Sequence, residues 1–332
     1  MPIPEKSTES TMSDNESPAE LLHDALVIGG GAAGLAGALM LARSRRSVLV
    51  LDGGSPRNTP SAGVHALLGL DGVAPAELLA RGREDVARYG GQVRQDPVAQ
   101  AQREEDGTFT VRTASGAVHR ARRLLLATGL VDELPPVDGL AERFGRDVVH
   151  CPYCHGYEVR DQAILVLATS PMAVHSALLF RQLSEDVTVL EDGVELPAEG
   201  RALLAARGVR LRSGHAVRLR TAADAITGLE LEDGEVVPAT AIAVQTRLAA
   251  RPELAQQILP GLGLSLTEHP SGMGVQLEAD PMTGATAVPG VWAAGNLTSP
   301  MAQVAPASAA GGMAGAQINA DLALAEARAA LG

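Results

Sequence analysis

The stretch ALVIGGGAAGLAGALMLA, from Ala25 to Ala42, decides the fold. It is long enough, and free enough of charge, to raise the question of a membrane span. Three consecutive glycines, Gly29 to Gly31, would break such a helix in its first turns. A buried strand, a glycine turn and a packed helix accommodate the same residues, and a soluble fold follows. Within it, Gly29-x-Gly31-x-x-Gly34 ends the strand and opens the helix, and the next apolar strand, VLVLD, closes on Asp52. That context identifies a dinucleotide-binding fingerprint. Gly29 permits the tight turn, Gly31 lets a pyrophosphate approach the backbone, and Gly34 lets the helix close on the sheet. Ala33 belongs to the same first turn, whose positive helix end faces the phosphates, and Asp52 is placed to accept from ribose hydroxyls.

Strand and helix patterns alternate outward from this point. A helix spans 76–89, short strands follow at TFTVRT and AVHRA, and a strand RLLLATG closes the first unit before Pro135-Pro136. A second alternation begins with AILVLA, continues through a helix over 172–183 to VTVLED and a helix over 198–207, and ends near Ala243. The chain then returns to VWAAGN and a last helix of small residues ending near Ala330. This is an α/β class with two Rossmann-like three-layer domains, one inserted into the other. The expected boundaries are a disordered tail over 1–22, a discontinuous nucleotide-binding domain over 23–145 plus 246–330, and an inserted domain over 146–245.

The composition, 46% hydrophobic and 20% charged, is that of a globular chain, and with aromatics at 2% its cores must rest on Ala, Val and Leu. A net charge of −12 argues against a nucleic-acid partner or an anionic membrane surface. The tail is rich in Ser, Glu and Pro and carries neither an apolar run nor a basic cluster, so no export signal is expected and a cytoplasmic location is. In that reducing compartment the only two cysteines, spaced as Cys151-Pro-Tyr-Cys154, point to redox or metal chemistry before a structural disulfide. Cys-x-x-Cys-His also matches haem attachment, and two Cys with His150 and His155 could build a zinc site. The absence of an export signal weighs against haem and the absence of a second Cys-x-x-Cys against zinc. A dithiol/disulfide couple remains, and no metal is expected. His155, immediately after Cys154, has an ordinary pKa suited to proton transfer near neutrality. His150 and His65 read as structural histidines.

Two further segments, LLLATG (Leu124 to Gly129) and TAVPGVWAAGN (Thr286 to Asn296), resemble the later FAD-contact motifs of the thioredoxin-reductase-like flavoproteins. The resemblance runs in order from about Asp24 to Ala330. It implies the low-molecular-weight thioredoxin reductase architecture, FAD as cofactor and a homodimer. It also implies FAD contacts at Ala127, Gly295 and Asn296, with Gln303 and Val304 near the flavin ring and Asn58 as a further contact. Asn296 stands where the family usually has Asp. Cys154 would then face the flavin and Cys151 exchange with substrate, while His155 replaces the family's usual Asp and steadies the Cys154 thiolate.

The inserted domain departs from the family. Where a second G-x-G-x-x-A is expected, the chain reads Ala168-Thr-Ser170-Pro171-Met-Ala173, and the following strand ends in Glu191-Asp192 in place of arginines. Side chains stand where a pyrophosphate must approach, and two carboxylates oppose a 2′-phosphate. With that site eroded, CPYCHG and AAGN resemble the FAD dithiol oxidases that install disulfides in natural products such as gliotoxin, holomycin and romidepsin. Low Lys and high Ala and Arg make the holomycin type the nearest analogy. The expected partners are a small-molecule dithiol and O2, with H2O2 as product. The rival readings are a nicotinamide- or ferredoxin-driven disulfide reductase and a flavin-bound redox sensor.

Overall fold

The computed structural model describes residues 21–332, and the expected tail lies outside them but for its last two residues, where the first strand already begins. In chain order the first unit holds β1 (Leu22–Ile28), α1 (Ala32–Arg43), β2 (Val48–Asp52), α2 (Pro75–Arg88), β3 (Gln92–Gln95), β4 (Val98–Arg103), β5 (Phe109–Thr113), β6 (Val118–Leu126) and β7 (Val131–Glu133). A second group follows: α3 (Leu140–Arg143), β8 (Val148–Val149), α4 (Pro152–His155), β9 (Ile164–Ala168), α5 (Ala173–Phe180), β10 (Val187–Glu191), α6 (Ala198–Ala206), β11 (Arg210–Ser213), β12 (Ala216–Ala222), β13 (Ala225–Leu231), β14 (Val236–Pro238) and β15 (Ala241–Val244). The chain returns through β16 (Arg247–Ala249), α7 (Leu259–Leu262), β17 (Leu266–Glu268), β18 (Val275–Leu277), β19 (Val291–Ala293) and the long α8 (Val304–Ala329).

Two large sheets result, the second parallel and the first parallel except where β5 and β4 add antiparallel. In the first, β3, β2, β1 and β6 lie side by side, and β6 carries β5 and β4 on its early part and β19 on its late part. The second runs β11-β10-β9-β15-β8. Their central strands are buried on both faces, as their near-continuous Val, Leu and Ile predict. The antiparallel pair β7–β16 joins the two units. AVHRA and RLLLATG, expected as separate strands, form one strand, β6. No turn residue separates them, and the strand changes partner along its length instead of stopping. VWAAGN is shorter than expected, because Gly295 adopts φ +80° and opens a turn of 3₁₀ helix.

The order of strands reverses beside β1 in the first sheet and beside β9 in the second, which sets a crevice at the carboxyl end of each sheet. Above the first crevice α1 and α8 pack backbone to backbone. A Cβ added to Gly311 would lie 1.9 Å from the Ala33 carbonyl oxygen, and one at Gly315 would lie 2.5 Å from that of Gly37. Helix propensity alone predicts that Gly311→Ala stabilises α8 by about 1 kcal/mol. The contact is with backbone, which cannot rotate away, so the expected outcome is a loss of about 1–3 kcal/mol in urea unfolding.

Candidate active site

The fingerprint turn is built on missing side chains. Gly29 holds φ +109°, and a Cβ there would lie 2.3 Å from the Ala127 carbonyl oxygen at the end of β6. A Cβ on Gly34 would lie 1.9 Å from the Gly29 carbonyl oxygen. Gly31 has nothing within 4 Å of its absent Cβ, so its backbone is open to the crevice. The α1 N-terminus carries no side-chain cap and no acidic residue in its first turn. Its free amides suit a diphosphate, and the residues present fit a dinucleotide. Asp52 accepts from the Gly30 and Gly54 N–H groups at 3.2 Å each. Gly30, absent from the sequence reading, is also required: a Cβ there would meet the Asp52 carboxyl carbon at 2.6 Å.

One cavity of about 670 Å³ runs from this turn to the cysteines. Of the expected site residues, Gly29, Gly31, Ala33, Asp52, Asn58, Ala127, Cys151, Cys154, His155, Gly295, Asn296, Gln303 and Val304 all line it, whereas Gly34 packs behind it. Cys151 and Cys154 are free thiols, and the short α4 between them begins at Pro152. The peptide of Gly156 lies so close to Pro152 and Leu183 that a Cβ would sit 2.4 Å from the Leu183 side chain. That contact seats α4 against the end of α5.

The two sulfurs are unequal. The Gln303 amide, at the N-terminus of α8, donates to Cys154 Sγ at 3.4 Å and to Cys151 Sγ at 3.9 Å. The Cys151 thiol is lowered to about 6, because the Cys154 thiol donates to it and the Tyr153 and Cys154 N–H groups and Gln303 add to this against burial. Cys154 is correspondingly pushed up, by giving that hydrogen bond and by burial. In the reduced pair the charge therefore rests on Cys151. His155 does not supply the expected donor to Cys154. Its Nε2 lies 2.8 Å from Ser61 Oγ, and its buried Nδ1 has no partner among the described residues. Burial lowers its pKa, against the raising effect of Glu158, so it is neutral at pH 7.

His150 is lowered to about 4 by burial and then by the Arg57 charge, and stays neutral beside the His155 ring. His65 lies away from the sulfurs, between Asp71 at 3.6 Å and Glu158 at 3.4 Å. Arg57 holds Asp132 through two hydrogen bonds of 2.5 and 2.8 Å, and Thr246 donates to the same carboxylate. Burial pushes Asp132 up, but the bonds and charge of Arg57 outweigh it and keep the group ionised. Ser61, Arg57 and Asp132 lack any local sequence signal, since each partner lies dozens of residues away. Among the described residues no three His, Cys, Asp or Glu side chains converge as metal ligands, and no helix is long and apolar enough to cross a membrane.

Asn296 explains its own departure from Asp. Its amide donates to the carbonyls of Ser299, Pro300 and Ala302 at 3.3, 2.9 and 2.8 Å, fixing the loop that delivers Gln303. A carboxylate could make none of these bonds. The second crevice is bridged by a side-chain bond and still borders the same cavity. Ser170, after β9, donates its hydroxyl to Gln245 Oε1, after β15, at 2.7 Å. Glu191, only 6% exposed, accepts from the Leu196 N–H at 3.0 Å and pairs with Arg201 at 2.9 Å.

A sequence profile described as pyridine nucleotide-disulphide oxidoreductase matches residues 23–314. "Thioredoxin reductase tcpT" of Claviceps purpurea is 34% identical over 90% of this chain and 95% of its own length. Among solved structures, HlmI is 42% identical with a TM-score of 0.84 over 93% of this chain and 96% of that one. An oxidoreductase from Agrobacterium tumefaciens is 37% identical with a TM-score of 0.83, covering 92% and 99%.

Two measurements check this geometry. Iodoacetamide should alkylate Cys151 of the reduced protein faster than Cys154, with a midpoint near pH 6. Below it the rate should fall about tenfold per pH unit as the thiolate is protonated. Gln303→Leu, lacking the donor, should move the midpoint upward. Asn296→Asp should cost about 1–3 kcal/mol in thermal or urea unfolding, as three carbonyls lose their donor.

Proposed function

The chain belongs to the pyridine nucleotide-disulphide oxidoreductase family, in its thioredoxin-reductase-like branch, and on that premise we propose that it oxidises a small-molecule dithiol to its cyclic disulfide with dioxygen as terminal acceptor. It is a flavin-dependent thiol/disulfide oxidoreductase, and FAD is its cofactor. One contrast carries the finer reading. The cavity of the cysteine pair reaches the turns of both crevices, but only the second, where a nicotinamide nucleotide would enter, is crossed by a side-chain bond, from Ser170 to Gln245. Electrons then have one ready port, the disulfide.

Gly31, the α1 N-terminus, Asp52, Asn58, Ala127 and Gly295 would hold the FAD, with Gln303 and Val304 at its redox end. When bound, FAD supplies the two-electron acceptor that restores the cysteine disulfide and passes the electrons to dioxygen, giving hydrogen peroxide. The protein's own residues conduct the exchange. His155, neutral and lining the same cavity, would take the proton of an incoming substrate thiol. The thiolate attacks Cys151 Sγ, a substrate–Cys151 disulfide forms, and the Cys151–Cys154 bond breaks with Cys154 as leaving group. The second substrate thiol, once deprotonated, attacks the first substrate sulfur. The cyclic disulfide leaves, and Cys151 departs as thiolate, a good leaving group because its pKa is low. Two substrate thiols are oxidised and one protein disulfide is reduced. The proposed enzyme is a cytoplasmic homodimer.

The relatives named thioredoxin reductase favour one rival, a nicotinamide-driven reductase. Oxygen uptake with dithiothreitol and no nicotinamide decides between them. The wild type should consume oxygen and form peroxide, Cys154→Ser should not, and NADPH or NADH should leave the flavin oxidised. Rapid flavin reduction by either nucleotide, or no dithiol-dependent oxygen uptake, would overturn the oxidase reading.

A further inference from the structure

The eroded nucleotide site has a second consequence, on the face of α5 that follows it. Met172, His175, Ser176 and Leu179 are spaced three, four and seven residues from the first and so share one face. All four line the cavity that contains Cys151 and Cys154. Met172 is 37% exposed, a large apolar side chain held open to the cavity, and His175 is exposed. None of the four is an acid, a lysine or an arginine. Gln245 lines the cavity beside them, its Oε1 engaged by Ser170, leaving the amide N–H groups as donors. Gly156, after α4, packs on Leu183 in the segment that follows α5, so the cysteine turn and this face lie in neighbouring segments.

We propose that this face of α5, with Gln245, is the subsite for the non-reacting body of the dithiol, and that it selects an uncharged, largely apolar body carrying carbonyl or hydroxyl groups. The proposal rests on the oxidase reading above. A carboxylate or ammonium placed here gains no counter-charge from these five side chains; the charged groups of the cavity are Asp52, Arg57, Asp132, Arg251 and Glu253. Met172 and Leu179 offer dispersion contact, and the thioether adapts to irregular shapes. His175, Ser176 and the Gln245 amide offer hydrogen bonds to neutral polar groups. The residues that displaced the nucleotide glycines thus shape the pocket that replaces the nucleotide site. Ser170 locks Gln245, and Pro171-Met172 presents the first side chain of the wall.

Dihydrolipoamide and dihydrolipoate test this, since they share a dithiol and a chain and differ in whether the far end is neutral or anionic. The wild-type holoenzyme should favour the amide in kcat/KM, mainly through KM. Met172→Lys and His175→Lys, both at exposed positions, should lower the amide-to-acid ratio by about five- to tenfold, the effect of one partly solvated charge pair. Titration calorimetry with bis-S-methyl dihydrolipoamide and the corresponding acid should show the same change of preference without turnover. An amide-to-acid ratio unchanged in both lysine variants, with oxygen uptake retained, overturns the subsite and leaves the oxidase reading standing. Absence of oxygen uptake with dithiothreitol and both lipoyl dithiols in the wild type overturns the oxidase reading and the subsite with it.

Discussion

Backbone meeting backbone is the constraint on which the rest of this structure depends. Gly29 lies against the Ala127 carbonyl, Gly34 against the Gly29 carbonyl and Gly311 against the Ala33 carbonyl. Each contact is too short for any side chain, and together they form a relay from the sheet to α1 and from α1 to α8. The relay fixes where α8 begins. Gln303 at its first turn then reaches sulfurs that belong to the other group of elements, 149 and 152 residues away in sequence. A shift of α8 by one methyl group would withdraw that amide, and the imbalance between the two thiols would change with it. Packing of glycines at the back of the fold is thereby coupled to chemistry at the front.

The two crevices show what one substitution class does to one architecture. Both lie where strand order reverses in a parallel sheet, and both are flanked by the turns that follow two neighbouring strands. In the first, the turns after β1 and β6 meet through Gly29 and Ala127 with no side chain between them, and Gly31 stays open. In the second, the turns after β9 and β15 meet through Ser170 and Gln245, whose hydrogen bond spans them. Glu191 has likewise turned inward, to Leu196 and Arg201, and no longer offers a carboxylate to a ribose. The inserted unit keeps its sheet because Ile164 to Ala168 and Val187 to Glu191 remain fully buried, whatever their loops bind.

Much of this was legible in the sequence. The strand–glycine–helix pattern at Ala25 to Ala42, the strand bounds Val48 to Asp52 and the position of the cysteine pair follow from periodicity and spacing, which are local properties. The replaced glycines at Ala168 and Ser170 were legible too, but the bond from Ser170 to Gln245 spans 75 residues and was not. The same holds for Ser61 with His155 and for Arg57 with Asp132: ordinary loop residues whose roles exist only once the chain has folded. Asn296 was read as a departure and a cofactor contact; it lines the cavity, and its amide nitrogen also serves the carbonyls of its own loop, which spacing did not reveal. Spacing reveals where a residue lies along the chain. It does not reveal which of two faces its donors serve.

The thiol asymmetry marks Cys151 as the exchange sulfur but does not give the site its direction. A reductase must deliver electrons outward through a nucleophilic exchange thiolate, whereas an oxidase must release its product from a mixed disulfide and so needs a stable leaving group at the same sulfur. A Cys151 thiol lowered to about 6 serves both. It cannot by itself set which way electrons move. Nor can His155, since an imidazole can take a proton from a substrate thiol in one direction and return it in the other. What breaks the symmetry is supply. A bonded bridge crosses the second crevice, whereas the dinucleotide turn at the first stays open. On the proposed reading the same exchange chemistry runs toward the flavin with no change at the cysteines.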